Sequence, residues 1–414
     1  MREIIKELNE IKFKNLENEK SGELFSSLFA KKQFDNVLWK NIFCSLLSTL
    51  FFQTIEYKDN NSKICFIYTN SCNVRNDYLD DMNKVYNCID NPSVLDVQKK
   101  FSFSNFKNLK YLKNVLIWYH EMKNVSLNNK FKMFMAVNLL RSFILKEKIN
   151  KLIKLSYISN IKICVSFCDV WIESYLYISA LRKLGILTVT LQHAVFSYKD
   201  QWWAYLYSQS DYFLGISEWA KGEAIKSGYK NGKFIVVGPM KYIDFQVNTR
   251  QKKKFTNVIG IALSSPMYEE DNEDLLKFAN CISDRFSCKI KIKSHPAIDL
   301  KKYMNSKEIE SFEESKMNIS EFSHECDFVI MGRTNAFADV ISLGEVAFRY
   351  TKYGDICDQE KHLKFNNSEE LMQLVQEFYN NYNTFFDNIK EIKNYFCPSG
   401  DIKENYKKFF ESIE

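Results

Sequence analysis

The order of apolar and polar positions divides the chain into short greasy runs separated by longer stretches with helical spacing. Leu38, Ile42, Leu46 and Leu50 recur at helical intervals, so the first 60 residues read as helices. Apolar runs bounded by Asn and Asp predict strands at 63–69 and 114–121, and a long helical pattern covers 128–156. From there the alternation is regular. Strands are predicted at 161–167, 186–191, 211–216 and 233–237, with helices at 169–184 and after Ser217. Gly185 and Gly228 follow those helices, where a residue tolerant of left-handed backbone is favoured. A basic stretch, 249–254, reads as a linker. The alternation then restarts, with strands at 257–263, 288–293, 327–331 and 346–350. Helices are predicted at 271–284, 334–343, 367–381 and 384–395, followed by a helical tail.

Short strands alternating with helices predict βαβ units and parallel sheets. The expected fold class is α/β: two Rossmann-like doubly wound domains facing a cleft, with extra N-terminal and C-terminal helices. The boundaries fall at 1–248 and 255–395, with 396–414 as the tail.

Composition narrows this further. The 414 residues are 46% hydrophobic and include 34 Phe and 23 Tyr, enough for large cores. Twelve Gly and five Pro exclude collagen-like and low-complexity chains. A net charge of +6 is small for this length and argues against a nucleic-acid partner. Eleven Cys, an odd number without Cys-x-x-Cys, suit reduced core residues and neither a disulfide framework nor a metal site. No signal peptide is evident, and the apolar run 42–52 is half the roughly 20 residues a membrane span needs. The expectation is a cytoplasmic protein, with peripheral contact at the inner face of the cell membrane left open.

In open α/β sheets, ligands sit outside the carboxyl ends of strands. Four such places carry polar residues. Gln192-His193-Ala194 offers a histidine suited to general-base work, or a core histidine satisfied by backbone. Lys293-Ser294-His295-Pro296 suits a phosphate, or is a turn with a solvated lysine. Gly332-Arg333-Thr334-Asn335-Ala336 joins a strand to a helix and suits an anion, although ordinary turns with a capping Thr look the same. Ser264-Ser265-Pro266 could meet a phosphate or an acceptor, or be a solvated turn. Asp169 is an alternative base or a helix cap, and Glu345 could reach a ribose. Trp202 and Trp203 could stack on a sugar or pack beneath their loop. No Asp-x-Asp, G-x-x-x-x-G-K-[ST], G-x-G-x-x-G or G-x-S-x-G is present, against a metal–diphosphate clamp, a P-loop enzyme, an ordinary NAD enzyme and an α/β-hydrolase.

The segments LQHA, SDYFLGISEWAKGEAIKSGYKNGKFIVVGPMKYID, KIKSHP and GRTNAFADVISLG together resemble GT-B glycosyltransferases of bacterial surface and capsular polysaccharide synthesis. The likeness spans about 160–350 and is similar to capsule Kdo transferases, sialyl- and polysialyltransferases and CDP-glycerol glycerophosphotransferases. It implies metal-independent transfer from a nucleotide-activated sugar to a growing or lipid-linked glycan, with no cofactor beyond that donor substrate. The resemblance implies an acceptor in the first domain and a donor in the second: His193 matches an acceptor-side histidine that is a candidate base, His295 a histidine at the donor phosphate, and Thr334 the phosphate-binding turn. By their positions in the sequence, Asp169 is the alternative base, Gln192, Trp202 and Trp203 go with the acceptor, and Lys293, Arg333, Asn335, Ser264, Ser265 and Glu345 with the donor. Gly238 and Pro239 match a strand-end turn. Ala194, Ser294 and Arg333-Thr334-Asn335 depart from the family pattern. Alternatives on the same fold are a polyol-phosphate transferase, a sugar-nucleotide epimerase and a catalytically inactive scaffold in a polysaccharide-assembly complex.

Overall fold

The computed structural model describes residues 39–51, 54–69, 76–98, 100–154, 160–169, 172–196, 203–230, 232–243, 255–295, 298–300, 313–352 and 362–414. They form two compact units. The first takes the described residues of 1–216, 220–244 and 400–414, and the second those of 217–219 and 245–399.

The first unit holds seven described strands: β1 (Thr54–Lys58), β2 (Ile64–Tyr68), β3 (Ser93–Gln98), β4 (Ile163–Phe167), β5 (Leu187–Leu191), β6 (Tyr212–Gly215) and β7 (Lys233–Val236). They pair in the order β1-β3-β2-β4-β5-β6-β7. Every pairing is parallel except β1 on β3. Strands β2 and β4 are buried at every position, which is why they read as unbroken apolar runs.

The second unit holds β8 (Val258–Ala262), β9 (Lys289–Lys293), β10 (Glu313–Glu314), β11 (Val329–Met331), β12 (Ala347–Tyr350) and β13 (Lys364–Phe365). All pairings are parallel, in the order β10-β9-β8-β11-β12-β13. Along the chain this is the 3-2-1-4-5-6 order of a doubly wound sheet, with its switch point between β8 and β11. The second core is rich in aromatic rings, with Phe328 and Phe385 each meeting both Phe348 and Phe378.

Two expectations are corrected. Residues 112–121 form a helix, Leu112–Glu121, rather than a strand. Asn114, Val115 and Trp118 are its buried positions, with buried Met122 just past its end, and a continuous apolar run conceals the helical period. Residues 54–58, expected as helix, form the edge strand β1. Strands β3, β10 and β13 were not predicted. The linker at 249–254 and the first 38 residues lie outside the described residues. No helix among the described residues is long and apolar enough to cross a membrane.

The tail is divided between the units. Helix Tyr382–Phe396 stays with the second, where Phe396 meets Trp219 and Phe337. Helix Ile402–Ile413 closes the first. Its Asn405 Nδ2 donates to the Val237 carbonyl (3.1 Å) and its Tyr406 hydroxyl to that of Gly238 (3.1 Å). Gly238 sits at φ 112°, and a Cβ there would come within 2.9 Å of Ile402, so no other residue fits this docking point. Burial pushes the Tyr406 phenol well above its ordinary pKa and keeps it a donor. Tyr406→Phe leaves a buried carbonyl short of its partner and should cost about 1–2 kcal/mol in urea unfolding. An unchanged midpoint would show that the tail does not close the first sheet.

Candidate functional site

Parallel pairing decides which residues share an edge. Strands β9, β8 and β11 are neighbours, with Ala262 in register with both Lys293 and Met331. Their carboxyl ends therefore place Lys293-Ser294-His295, Ser264-Ser265 and Gly332-Arg333-Thr334 side by side at the switch point. The sequence pointed to these three turns, and the sheet brings them together.

Ser264 is the most informative. It is fully buried, and among the described residues its hydroxyl has no hydrogen-bond partner. Its backbone is held on both sides by Asn272. Ser264 N–H donates to Asn272 Oδ1 (2.8 Å), and Asn272 Nδ2 donates to the Ser264 carbonyl (3.1 Å). Ser265, half-buried, starts the short turn Pro266–Tyr268 that leads into helix Glu269–Phe286.

Arg333 is a correction. It was expected to meet a phosphate, but its guanidinium is turned onto buried Asp271. Nε and Nη2 donate to the carboxylate at 2.8–3.2 Å, and the Arg333 N–H adds a third contact at 3.0 Å. Glu270 lies 3.8 Å from Nη2, and the Tyr268 ring lies 4.3 Å beneath the guanidinium. A Cβ on Gly332 would fall 2.7 Å from Asp271 Oδ2, so glycine here admits a carboxylate. The pair bolts the turn after β11 to the helix after β8. Arg333 is a positioning residue.

The remaining donors are partly committed. Lys293 Nζ donates to the Met317 carbonyl (2.5 Å), and burial lowers its pKa. Ser294 donates to Glu314 (3.1 Å). His295 is half-buried, and its carbonyl accepts from Ile298 (2.8 Å). Thr334 Oγ1 accepts from the Ala336 N–H (3.3 Å), and Asn335 is exposed without a side-chain cap bond. Glu345 is a second correction. It precedes β12, so it lies at the opposite edge of the parallel sheet, where it is buried with His324 Nδ1 at 3.7 Å. It cannot serve a ligand at the strand ends.

In the first unit, β5 ends at Gln192-His193. The His193 ring stacks on Phe167 (5.0 Å) and meets Tyr78 (5.0 Å) and Phe196 (5.3 Å), an aromatic niche beside the ends of β4 and β5. Gln192 is not available to an acceptor. Its amide donates to the Ala194 carbonyl (2.8 Å) and to the Tyr205 hydroxyl (2.7 Å), and its oxygen accepts from Ile216 (3.0 Å). Asp169 is likewise corrected as a base. It is buried, and Oδ2 accepts from Ser208 Oγ, Gln209 N, Ser210 N and Ser210 Oγ at 2.7–2.9 Å. A carboxylate with four donors on one oxygen is fixed in place. Trp202 and the Trp203 side chain lie outside the described residues.

Sequence reasoning missed Asp271, Asn272 and Tyr268. Glu269, Glu270 and Asp271 occupy the first turn of a helix, where acids complement the dipole, so nothing marked Asp271 apart. A groove lined by Cys281, Arg285, Met372 and Gln376 lies between helices Glu269–Phe286 and Ser368–Asn380 and contains none of the candidate residues.

No protein-family model matches the chain, and no curated protein matches it. Solved structures do. S. aureus MnaA in complex with UDP superposes with a TM-score of 0.51 at 10% identity, covering 85% of this chain and 98% of that one. A putative UDP-N-acetylglucosamine 2-epimerase from Listeria monocytogenes superposes with a TM-score of 0.50 at 10% identity, covering 84% and 95%. At that identity the likeness is one of fold: α/β with two Rossmann-like parallel-sheet domains, the GT-B class.

The Asp271–Arg333 pair yields a prediction. Asp271→Ala strands a largely buried guanidinium and should cost about 3 kcal/mol, whereas the Asp271→Ala/Arg333→Met double variant should recover part of that loss in urea unfolding. Strictly additive losses would mean the two side chains are not coupled.

Proposed function

We propose that this chain is an enzyme acting on a nucleotide-activated sugar. The second unit would hold the diphosphate at the carboxyl ends of β8, β9 and β11. The observation that carries the reading is Ser264: a fully buried hydroxyl without a partner among the described residues, at the switch point of a doubly wound sheet. Such a group costs about 1–3 kcal/mol unless something bonds to it, and a phosphate oxygen is the natural acceptor at that edge. His295 and the backbone around Thr334 flank it. Arg333, neutralised by Asp271, shapes the turn.

Within this class, epimerisation of the bound sugar nucleotide is the first reaction we propose. The supporting observation is the likeness of fold over nearly the whole length of a protein titled a putative UDP-N-acetylglucosamine 2-epimerase. Transfer to a glycan hydroxyl is the second reading, favoured by the strand-end motifs around His193 and His295. Transfer breaks the bond between the anomeric carbon and the diphosphate. Donors at the diphosphate then stabilise the leaving charge, and an imidazole such as His193 takes the acceptor proton. Either reaction is proposed to proceed without a bound metal.

Melting of the purified protein with UDP, CMP, CDP, GDP and dTDP, with and without EDTA, tests the class. A nucleotide at roughly 100 times its dissociation constant adds about 2.7 kcal/mol. One responding nucleotide, indifferent to EDTA, is expected. Proton NMR of the matching sugar nucleotide with no acceptor then separates the reactions: new sugar signals indicate epimerisation, and an unchanged spectrum favours transfer. Response to no nucleotide would overturn the proposal and favour an inactive scaffold.

Ser264→Ala supplies a check of opposite sign. It removes an unpartnered buried polar group, so the melting temperature without nucleotide should hold or rise. Affinity for the nucleotide should fall about tenfold, or 1.4 kcal/mol. A variant that binds normally would remove Ser264 from the site.

A further inference from the structure

The segment between β3 and helix Leu112–Glu121 is built the wrong way round for a protein surface. It forms a 3-10 helix, Phe103–Tyr111. Side chains three apart are eclipsed in such a helix, so it presents three edges. Asn105 and Asn108 line the inner edge and are buried. Their amides donate to the Phe51 and Leu50 carbonyls (3.2 Å each), and Asn105 Oδ1 accepts from Lys148 Nζ (3.1 Å). Phe103, Phe106 and Leu109 line an outer edge and are exposed, Phe103 by 79%. Lys107 and Lys110 line the third edge, both exposed, and exposed Lys113 follows at the same interval.

The apolar edge is continuous with its surroundings. Phe101, itself exposed, meets Phe103 at 5.1 Å and Phe106 at 6.4 Å. Phe103 and Phe106 are stacked at 6.1 Å. Phe106 meets Phe51 at 5.1 Å, and the helix ending at Phe51 also exposes Trp39 and Phe43. The charge has one sign. From Lys99 to His120 the chain carries five lysines and no acid. Of the neighbouring acids, Glu56 pairs with Lys100 at 3.5 Å, and Glu147 accepts from Tyr111 at 2.5 Å and acts electrostatically on Lys110.

We propose that this face of the first unit docks onto an anionic lipid surface. Aromatic side chains turned outward beside an acid-free row of lysines fit the interfacial region of a bilayer with negative headgroups. The segment buries a polar edge and turns outward an apolar one, whose rings meet chiefly one another and Phe51. The inference is independent of the reaction at the strand ends and would stand if no nucleotide bound.

Cosedimentation of the full chain with phosphatidylcholine vesicles, with and without phosphatidylglycerol, tests it. Binding is expected only with the anionic lipid. Lys107→Glu/Lys110→Glu should weaken it on the order of tenfold or more. Phe103→Ser/Phe106→Ser should abolish the part that survives high salt. Melting temperatures of both variants should match the parent. Absence of binding, or binding indifferent to both variants, overturns the proposal. A lowered melting temperature of the Phe variant would show that the face is covered by the chain itself. Self-association lost in that variant would assign it to a second copy. Either outcome would also overturn the proposal.

Discussion

A parallel strand cannot return to its neighbour through a tight turn. The chain must cross a face of the sheet, so every strand begins at one edge and ends at the other. This directional constraint organises the molecule. It places Ser264, His295 and Thr334, far apart in sequence, on adjacent turns of the second unit. It also sends Glu345 to the far edge, although Glu345 is only eleven residues from Thr334. Among the described strands, β1 alone departs from the rule, and it lies at an edge where the departure costs no inner pairing.

Both units fasten their strand-end turns with buried carboxylates. Asp169 gathers the 208–210 loop after β4 turns through Cys168, which takes a left-handed φ of 63°. Asp271 gathers Arg333. Asp327, just before β11, binds Thr256 and Asn257 at the entrance to β8. In each case one carboxyl group satisfies several donors that an irregular turn would otherwise leave buried and unpaired. The acids nearest these turns are thereby held as structural ties.

This explains what the sequence could and could not show. Strands buried on both faces announce themselves as apolar runs, so β4, β5 and β8 were legible, and β9 showed by its Lys/Ile alternation; so were the turns after them. Helix Leu112–Glu121 was not, because its apolar run hides its period. Strand β3, with alternating burial and a polar flank, was too weak a signal. A residue's place at a strand end was legible, but its partner was not. Arg333 looked like an anion binder until Asp271, 62 residues away, was seen beneath it. Asp169 is a similar case, for its four donors lie about 40 residues away.

The docking of helix Ile402–Ile413 has a consequence for biosynthesis. The first sheet has all its described strands once β7 is made, yet the carbonyl of Val237 receives its partner from Asn405, 168 residues later. A chain emerging N-terminus first must therefore translate the whole second unit before the first can be sealed, and the seat beside Gly238 stays open throughout. Completion of the first unit thus waits on the synthesis of residues 402–413, and a chain stalled before them would carry a second unit with all its described strands and a first unit still without its closing helix.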